Sequence, residues 1–234
     1  LSPDCDARVF EAGSGTEISE FLREYEPRLR EAEVYGGSFN FITCNHDTAR
    51  VAPRLSPREI ALAYCTLFSL PGVPFLYYGD EIGMRYRQLR TKEGGYVRTG
   101  SRTPMQWGDG PSDGLTGGEY LPIDTAADAP TVAAQQADEG SLWHIVRDML
   151  HVKGDNAALQ TDASFREIER KRVFAFARST DAQQVIVAVN PSRDCKALQL
   201  PKGNYREIFK IGEIELDGTS LQLGLQSFAI LEAE

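Results

Sequence analysis

The stretch from Phe39 to Arg50, Phe-Asn-Phe-Ile-Thr-Cys-Asn-His-Asp-Thr-Ala-Arg, constrains the fold of this chain more than any other. An aromatic, apolar run suited to a buried strand (Phe39, Phe41, Ile42) stops abruptly at Asn45, His46, Asp47 and Arg50. All four can bind or polarise a hydroxylated molecule. In parallel α/β proteins such groups gather at the carboxyl ends of strands, where the loops converge. Ser56-Pro57-Arg58-Glu59 follows in the S-x-x-E form of a capping box, with proline at the first helical position. Strand, polar cluster, loop and capped helix make a βα unit with a functional rim.

The next segments extend this pattern. Arg58–Leu70 carries Ile60, Ala63, Tyr64, Leu67 and Phe68 at helical spacing, and Pro71-Gly72 stops it. Val73–Tyr78 is a continuous apolar run, expected to be a buried parallel strand with Pro74 near its start. Asp80 and Glu81 follow. Adjacent carboxylates in an extended segment point to opposite sides, so loop-fixing hydrogen bonds are the expected use. Upstream, Ala7–Glu11 reads as a short strand ending in a carboxylate, too close to a Gly-Ser-Gly turn to favour Glu11 as a catalytic acid. Thr16–Glu33 reads as an amphipathic helix that Pro27 should kink or divide.

Arg85–Asp124 is long, polar and glycine-rich, and loops of that length tend to be functional. Its Arg98, Arg102, Gln106 and Trp107 suit sugar binding, with planar donors for hydroxyls and an aromatic face for ring C–H groups. Asp124–Gly140 reads as an acidic linker and Ser141–Val152 as a helix. From Phe165 the period switches to two. Val173–Ala177, Val185–Val189, Lys196–Leu200, Tyr205–Phe209, Leu221–Leu223 and Phe228–Leu231 are short strands between turn signals, the pattern of an antiparallel sandwich.

Composition excludes several functions. A net charge of -9 opposes partners that need a basic surface, so neither nucleic acid nor a membrane is expected. No run is long enough to span a bilayer, and Leu1–Asp6 resembles no signal or transit peptide, which makes the cytoplasm the default expectation. The start reads as a truncation. Cys5, Cys44, Cys65 and Cys195 form no C-x-x-C pair, and His144 and His151 have no evident third ligand. No metal and no cofactor are expected.

The Asn-His-Asp-x-x-Arg pattern after an aromatic strand resembles the fourth conserved region of the α-amylase superfamily, glycoside hydrolase family thirteen. Pro71–Met84, with Phe75-Leu76-Tyr77-Tyr78-Gly79-Asp80-Glu81 inside it, resembles that family's eighth barrel strand and following loop. Ser101-Arg102-Thr103-Pro104-Met105-Gln106-Trp107 resembles a loop of its oligo-1,6-glucosidase, α-glucosidase and trehalose-synthase branch. All three stand in the family's order, and the resemblance runs from about Thr16 to the C-terminus.

The resemblance implies an α/β plus all-β chain: residues 1–160 as the C-terminal part of a (β/α)8 barrel, then residues 161–234 as a β-sandwich. It implies a retaining glycosidase acting on short α-glucosides. Asp47 would be the transition-state-stabilising carboxylate, and Asn45, His46, Arg50, Arg102 and Trp107 would contact the sugar. The nucleophile motif R-x-D has no match before Asp47. A whole barrel needs roughly 250 residues, and only about 150 precede the β-rich part here. The chain is therefore expected to lack the nucleophile and general acid, and to need the missing barrel half or to self-associate. Trehalose synthesis or another glucosyl transfer is the alternative within the family, and a non-catalytic carbohydrate-binding fragment is the alternative outside catalysis.

Overall fold

The structure is a computed structural model that describes residues 7–13, 18–90, 99–110, 120–171 and 173–234. It divides into two compact units. One comprises Leu1–Phe41, Leu62–Pro74 and Asp148–Glu234, and the other Ile42–Ala61 and Phe75–Arg147. Among the described residues no helix is long and apolar enough to cross a membrane.

Helix α1 (Ile18–Val34) buries Ile18, Phe21, Leu22 and Tyr25 along one stripe. The expected division at Pro27 does not occur, and the helix runs through it. Pro27 is exposed, so its ring meets solvent while the buried stripe holds the turns on either side. The short strand expected at Ala7–Glu11 is instead a 3₁₀ turn over Ala7–Val9, with the Glu11 amide donating to the Arg8 carbonyl at 3.2 Å.

Strands β1 (Asn40–Ile42) and β2 (Val73–Phe75) pair in a two-stranded sheet and are joined through α2 (Pro57–Ser69). The Val73 amide donates to the Phe39 carbonyl at 2.8 Å. Gly72 makes this approach possible. With φ +135° it has no room for a side chain, since a Cβ there would lie 2.6 Å from the Phe39 oxygen. The expected strand through Tyr78 stops at Phe75, because the chain turns toward a left-handed Gly79. The expected burial is met in part: Phe41 is 1 % exposed, but Ile42 is 45 % exposed and Phe75 56 %.

The capping box forms as read. The Glu59 carboxylate accepts from the Ser56 amide at 2.8 Å and from its hydroxyl at 2.9 Å, which starts α2. Cations close its other end. Lys153, on α4 (Leu142–Asp155), donates to the Phe68 carbonyl at 3.0 Å, and Arg178 donates to the Ser69 carbonyl at 2.6 Å. The Tyr25 hydroxyl takes the Pro71 carbonyl at 2.8 Å just beyond. A short helix, α3 (Val132–Ala137), stands where a linker was expected; Thr131 caps it by accepting from the Ala134 amide.

The C-terminal strands are β3 (Ser164–Glu169), β4 (Phe174–Ser179), β5 (Gln184–Asn190), β6 (Lys196–Gln199), β7 (Tyr205–Ile211), β8 (Ile214–Asp217), β9 (Ser220–Leu223) and β10 (Ser227–Ala233). They form a five-stranded antiparallel sheet, β3-β4-β5-β10-β7, and a three-stranded one, β6-β9-β8. Ala175, Ile186, Ala188, Ala229 and Leu231 of the first meet Leu198, Leu221 and Leu223 of the second in one apolar cluster. Alternation along each strand selects this inward set.

Arg178 is the exception within that apolar pattern, fully buried on β4. Besides Ser69 it donates to the carbonyls of Ser164 (3.2 Å), Ala163 (3.2 Å) and Gln160. Burial lowers its pKa to about 10. Arg178→Met would leave these carbonyls unmet, so urea unfolding should show a loss of roughly 3–5 kcal/mol.

Lys153 supplies a pH test. Burial, then the nearby Arg178 charge, lowers its pKa from 10.5 to about 8. Between those values the unfolded chain binds more protons than the folded one, so this lysine makes stability rise with pH from about 8 to 10.5. Urea unfolding at pH 8 and pH 10 should show the wild type gaining on Lys153→Met over that interval.

Candidate active site

The polar cluster read from the sequence lies directly after β1, in the unit containing Ile42–Ala61 and Phe75–Arg147. The turn is built from its own side chains. The Asn45 amide oxygen accepts from the Asp47 amide at 2.8 Å, and the Thr48 hydroxyl accepts from the Asn45 amide at 3.0 Å. Asn45 thus shapes the turn that presents His46 and Asp47.

Asp47 stands out from that turn with its side chain 48 % exposed. Its Oδ1 accepts from Arg102 Nη2 at 2.9 Å, and its Oδ2 lies 3.2 Å from His46 Nε2. Arg102 also donates through Nε to the His46 carbonyl at 2.9 Å, so one guanidinium grips both backbone and carboxylate. The result is an accessible carboxylate with a set direction, flanked by an imidazole and a guanidinium. Such a group can accept hydrogen bonds from adjacent sugar hydroxyls and favour positive charge developing nearby.

Arg50 is placed differently. Its side chain is fully buried, with Nη1 on Asp80 Oδ1 at 2.9 Å and on the Tyr78 carbonyl at 2.7 Å, and Nη2 on the Ser101 carbonyl at 3.2 Å. The guanidinium also lies over the Tyr77 and Tyr78 rings, at 4.7 and 4.9 Å from their centroids. In this structure Arg50 braces the loops, with both η nitrogens taken by protein acceptors. Asp80 is its counterpart, 1 % exposed and accepting also from the Thr43 hydroxyl at 2.9 Å and from the Cys44 thiol at 3.2 and 3.3 Å. Burial, then the Asp80 charge, raises the Cys44 pKa, so its sulfur stays a donor. Asp80 therefore fixes loops, as adjacent carboxylates there were expected to do. Burial also raises the pKa of Glu81.

A second segment locks the turn from outside. Thr99–Ser101 forms a 3₁₀ turn, and the Ser101 hydroxyl donates to the Thr48 carbonyl at 2.5 Å. Gly100 permits it: a Cβ there would lie 1.8 Å from the Arg87 oxygen. Of the other candidates in this stretch, Trp107 is 56 % exposed, while its carbonyl accepts from the Ala133 amide at 3.0 Å. Gln106 is not available to a sugar. It is buried, and its amide donates to the Pro130 carbonyl at 2.6 Å. Arg98 lies outside the described residues. Asp124, read as part of a linker, is a buried anchor for Arg85 at 2.7 Å and Arg87 at 2.6 Å. Nothing in the spacing signals this pairing, because it joins residues far apart in sequence. Among the described residues no group of three metal-ligating side chains is present.

Residues 16–162, well over half of the chain, match the α-amylase catalytic domain. The chain belongs to the α-amylase family. Among its relatives, Maltase A2 of Drosophila melanogaster is 29 % identical over 172 residues, which span 72 % of this chain and 29 % of that protein. Trehalose synthase of Thermus thermophilus is 29 % identical over 164 residues, spanning 66 % of this chain and 16 % of that one. Of solved structures, the α-glucosyl transfer enzyme XgtA superposes with a TM-score of 0.75 at 26 % identity, covering 89 % of this chain and 43 % of its own. This family member thus spans less than a third of each of those two curated relatives.

The buried Arg50–Asp80 pair yields a direct prediction. Arg50→Met leaves the Asp80 carboxylate buried without its cation, and urea unfolding should show a loss of roughly 3–5 kcal/mol. Arg50→Lys should recover little of it, because one ammonium cannot reach both the Asp80 and Ser101 oxygens in the guanidinium's planar arrangement.

Proposed function

We propose that this chain is the Asp47-bearing part of a retaining enzyme that processes short α-glucosides. In this reading residues 1–160 are the C-terminal part of a (β/α)8 barrel and residues 161–234 a β-sandwich domain. The observation that carries the proposal is the accessible Asp47 carboxylate, gripped by Arg102 and His46 at the end of β1 inside the α-amylase match. The open faces of β1 and β2, with Ile42 and Phe75 exposed, support further strands beside them.

In a retaining glycosidase one carboxylate attacks the sugar carbon while a second protonates the leaving oxygen, the two standing about 5–5.5 Å apart. Here Asp47 is neither of these. It is the third carboxylate, accepting from ring hydroxyls whose bonds strengthen as the oxocarbenium-like charge develops. His46 and Arg102 hold its oxygens toward the sugar, Asn45 and Arg50 preserve the loop that carries it, and Trp107 offers a ring face at the rim. The nucleophile and the general acid come from barrel strands outside residues 1–234. Glucosyl transfer is the second reading, favoured by the similarity to a trehalose synthase and an α-glucosyl transfer enzyme.

A chromogenic α-glucoside tests the proposal. The chain alone should give no turnover, and mixing it with the upstream half of a related barrel should restore it. Asp47→Asn should then lower kcat at least ~10²-fold without preventing association. Turnover by the chain alone would refute the division of catalytic groups, and an inert but associated mixture would favour a binding role. Glucose as the sole product from maltose would mean hydrolysis, whereas trehalose would mean transfer.

A further inference from the structure

Arg102 grips Asp47 from a segment whose own main chain is held on both sides of it. Ser101 and Thr103 are buried and Arg102 between them is partly exposed, so its neighbours are anchored inside while the guanidinium reaches out. The two tyrosines that follow β2 supply anchors. The Tyr78 hydroxyl donates to the Thr103 carbonyl at 2.7 Å, and the Tyr77 hydroxyl donates to the Ser101 carbonyl at 3.3 Å. Burial raises the Tyr77 pKa, so its hydroxyl remains a donor. The rings are seated for this task, with centroids 4.6 Å apart and the Arg50 guanidinium against both.

The two anchors are unequal. The Ser101 carbonyl also accepts from Arg50 Nη2 at 3.2 Å, and the Ser101 hydroxyl donates to the Thr48 carbonyl, so this side stays fixed without Tyr77. Among the described residues the Thr103 carbonyl has Tyr78 alone. Losing the Tyr78 hydroxyl therefore frees the chain just beyond Arg102. The grip leaves little play for that. Arg102 Nε reaches the His46 carbonyl and Nη2 reaches Asp47, both at 2.9 Å, so a shift of the backbone beneath one planar guanidinium strains both bonds.

We propose that Tyr78, assisted by Tyr77, is a positioning residue that clamps the Arg102 main chain and so fixes the direction of the Asp47 carboxylate. Its effect on turnover rests on the proposed function, whereas the clamp can be read on the isolated chain.

Hydrogen exchange at the Arg102 Nε–H, followed by NMR on isotope-labelled chain and assigned by its loss in Arg102→Lys, reports the grip directly. Tyr78→Phe should speed that exchange at least ~10-fold, and Tyr77→Phe should speed it less. Tyr205→Phe is the control. It removes an equivalent bond, to the Pro201 carbonyl at 2.9 Å in the C-terminal unit, and should leave Arg102 protected. In the mixture with an upstream barrel half, Tyr78→Phe should lower kcat about 10-fold with KM within about 2-fold, and should add nothing in an Arg102→Lys background. Unchanged exchange in Tyr78→Phe or equal acceleration by Tyr205→Phe would overturn the proposal. So would a raised KM at unchanged kcat, which would make the Tyr78 hydroxyl a direct sugar contact. An inert mixture in which Tyr78→Phe still speeds exchange would refute the proposed function and support the clamp.

Discussion

The candidate site depends on one ion pair sealed from solvent. Arg50 and Asp80 meet at 2.9 Å with almost no exposed side-chain surface, and each also reaches further partners. Arg50 reaches the Tyr78 and Ser101 carbonyls and lies across two tyrosine rings, while Asp80 gathers the Thr43 hydroxyl and the Cys44 thiol. Three segments distant in sequence thus share one polar centre. A buried pair of this kind adds little net stability compared with apolar packing, because desolvation offsets most of its attraction. Its value lies in specificity: this arrangement of the loops brings both η nitrogens of Arg50 and the Asp80 carboxylate to their partners at once.

From that centre outward, constraint is relaxed in stages. Ser101 ties the 3₁₀ turn to Thr48, and Arg102, the next residue, reaches into the open to grip Asp47. The exposed carboxylate is therefore held through a chain of contacts that begins in the interior. Rigid support beneath an accessible reactive group is what positional precision in catalysis requires. The other unit uses the same device for a different end. Arg178 and Lys153 sit in apolar surroundings to receive the carbonyls that close α2, and both have lowered pKa values as the consequence.

Much of this was legible before any coordinates. The capping box, the helix over 58–70 and the period-two strands follow from local pattern, because each is decided by neighbours within a few residues. The structure also adds β3 and β8, which carry too few consecutive apolar residues to stand out, since their outer faces are solvated. Pro27 misled for the opposite reason. A proline is read as a breaker, but four buried side chains on one stripe outweigh one lost hydrogen bond. The 3₁₀ turn at Ala7–Val9 likewise replaces a strand, because three residues give no alternation from which to decide.

The sequence by itself determined the family, the capped helix α2 and the identity of the polar cluster after β1, since these rest on residue types at short, regular spacing. Tertiary structure alone decided what each member of the cluster does. Arg50, Asp47 and Arg102 are all charged groups in loops, and nothing in their spacing says that the first is sealed inside while the second is presented to solvent. That choice depends on Asp80 and Ser101 approaching from elsewhere in the chain. The same holds for Gln106, a sugar-binding type by composition that folding turned inward onto Pro130. Burial and long-range pairing are properties of where segments meet, and local pattern does not encode where that is.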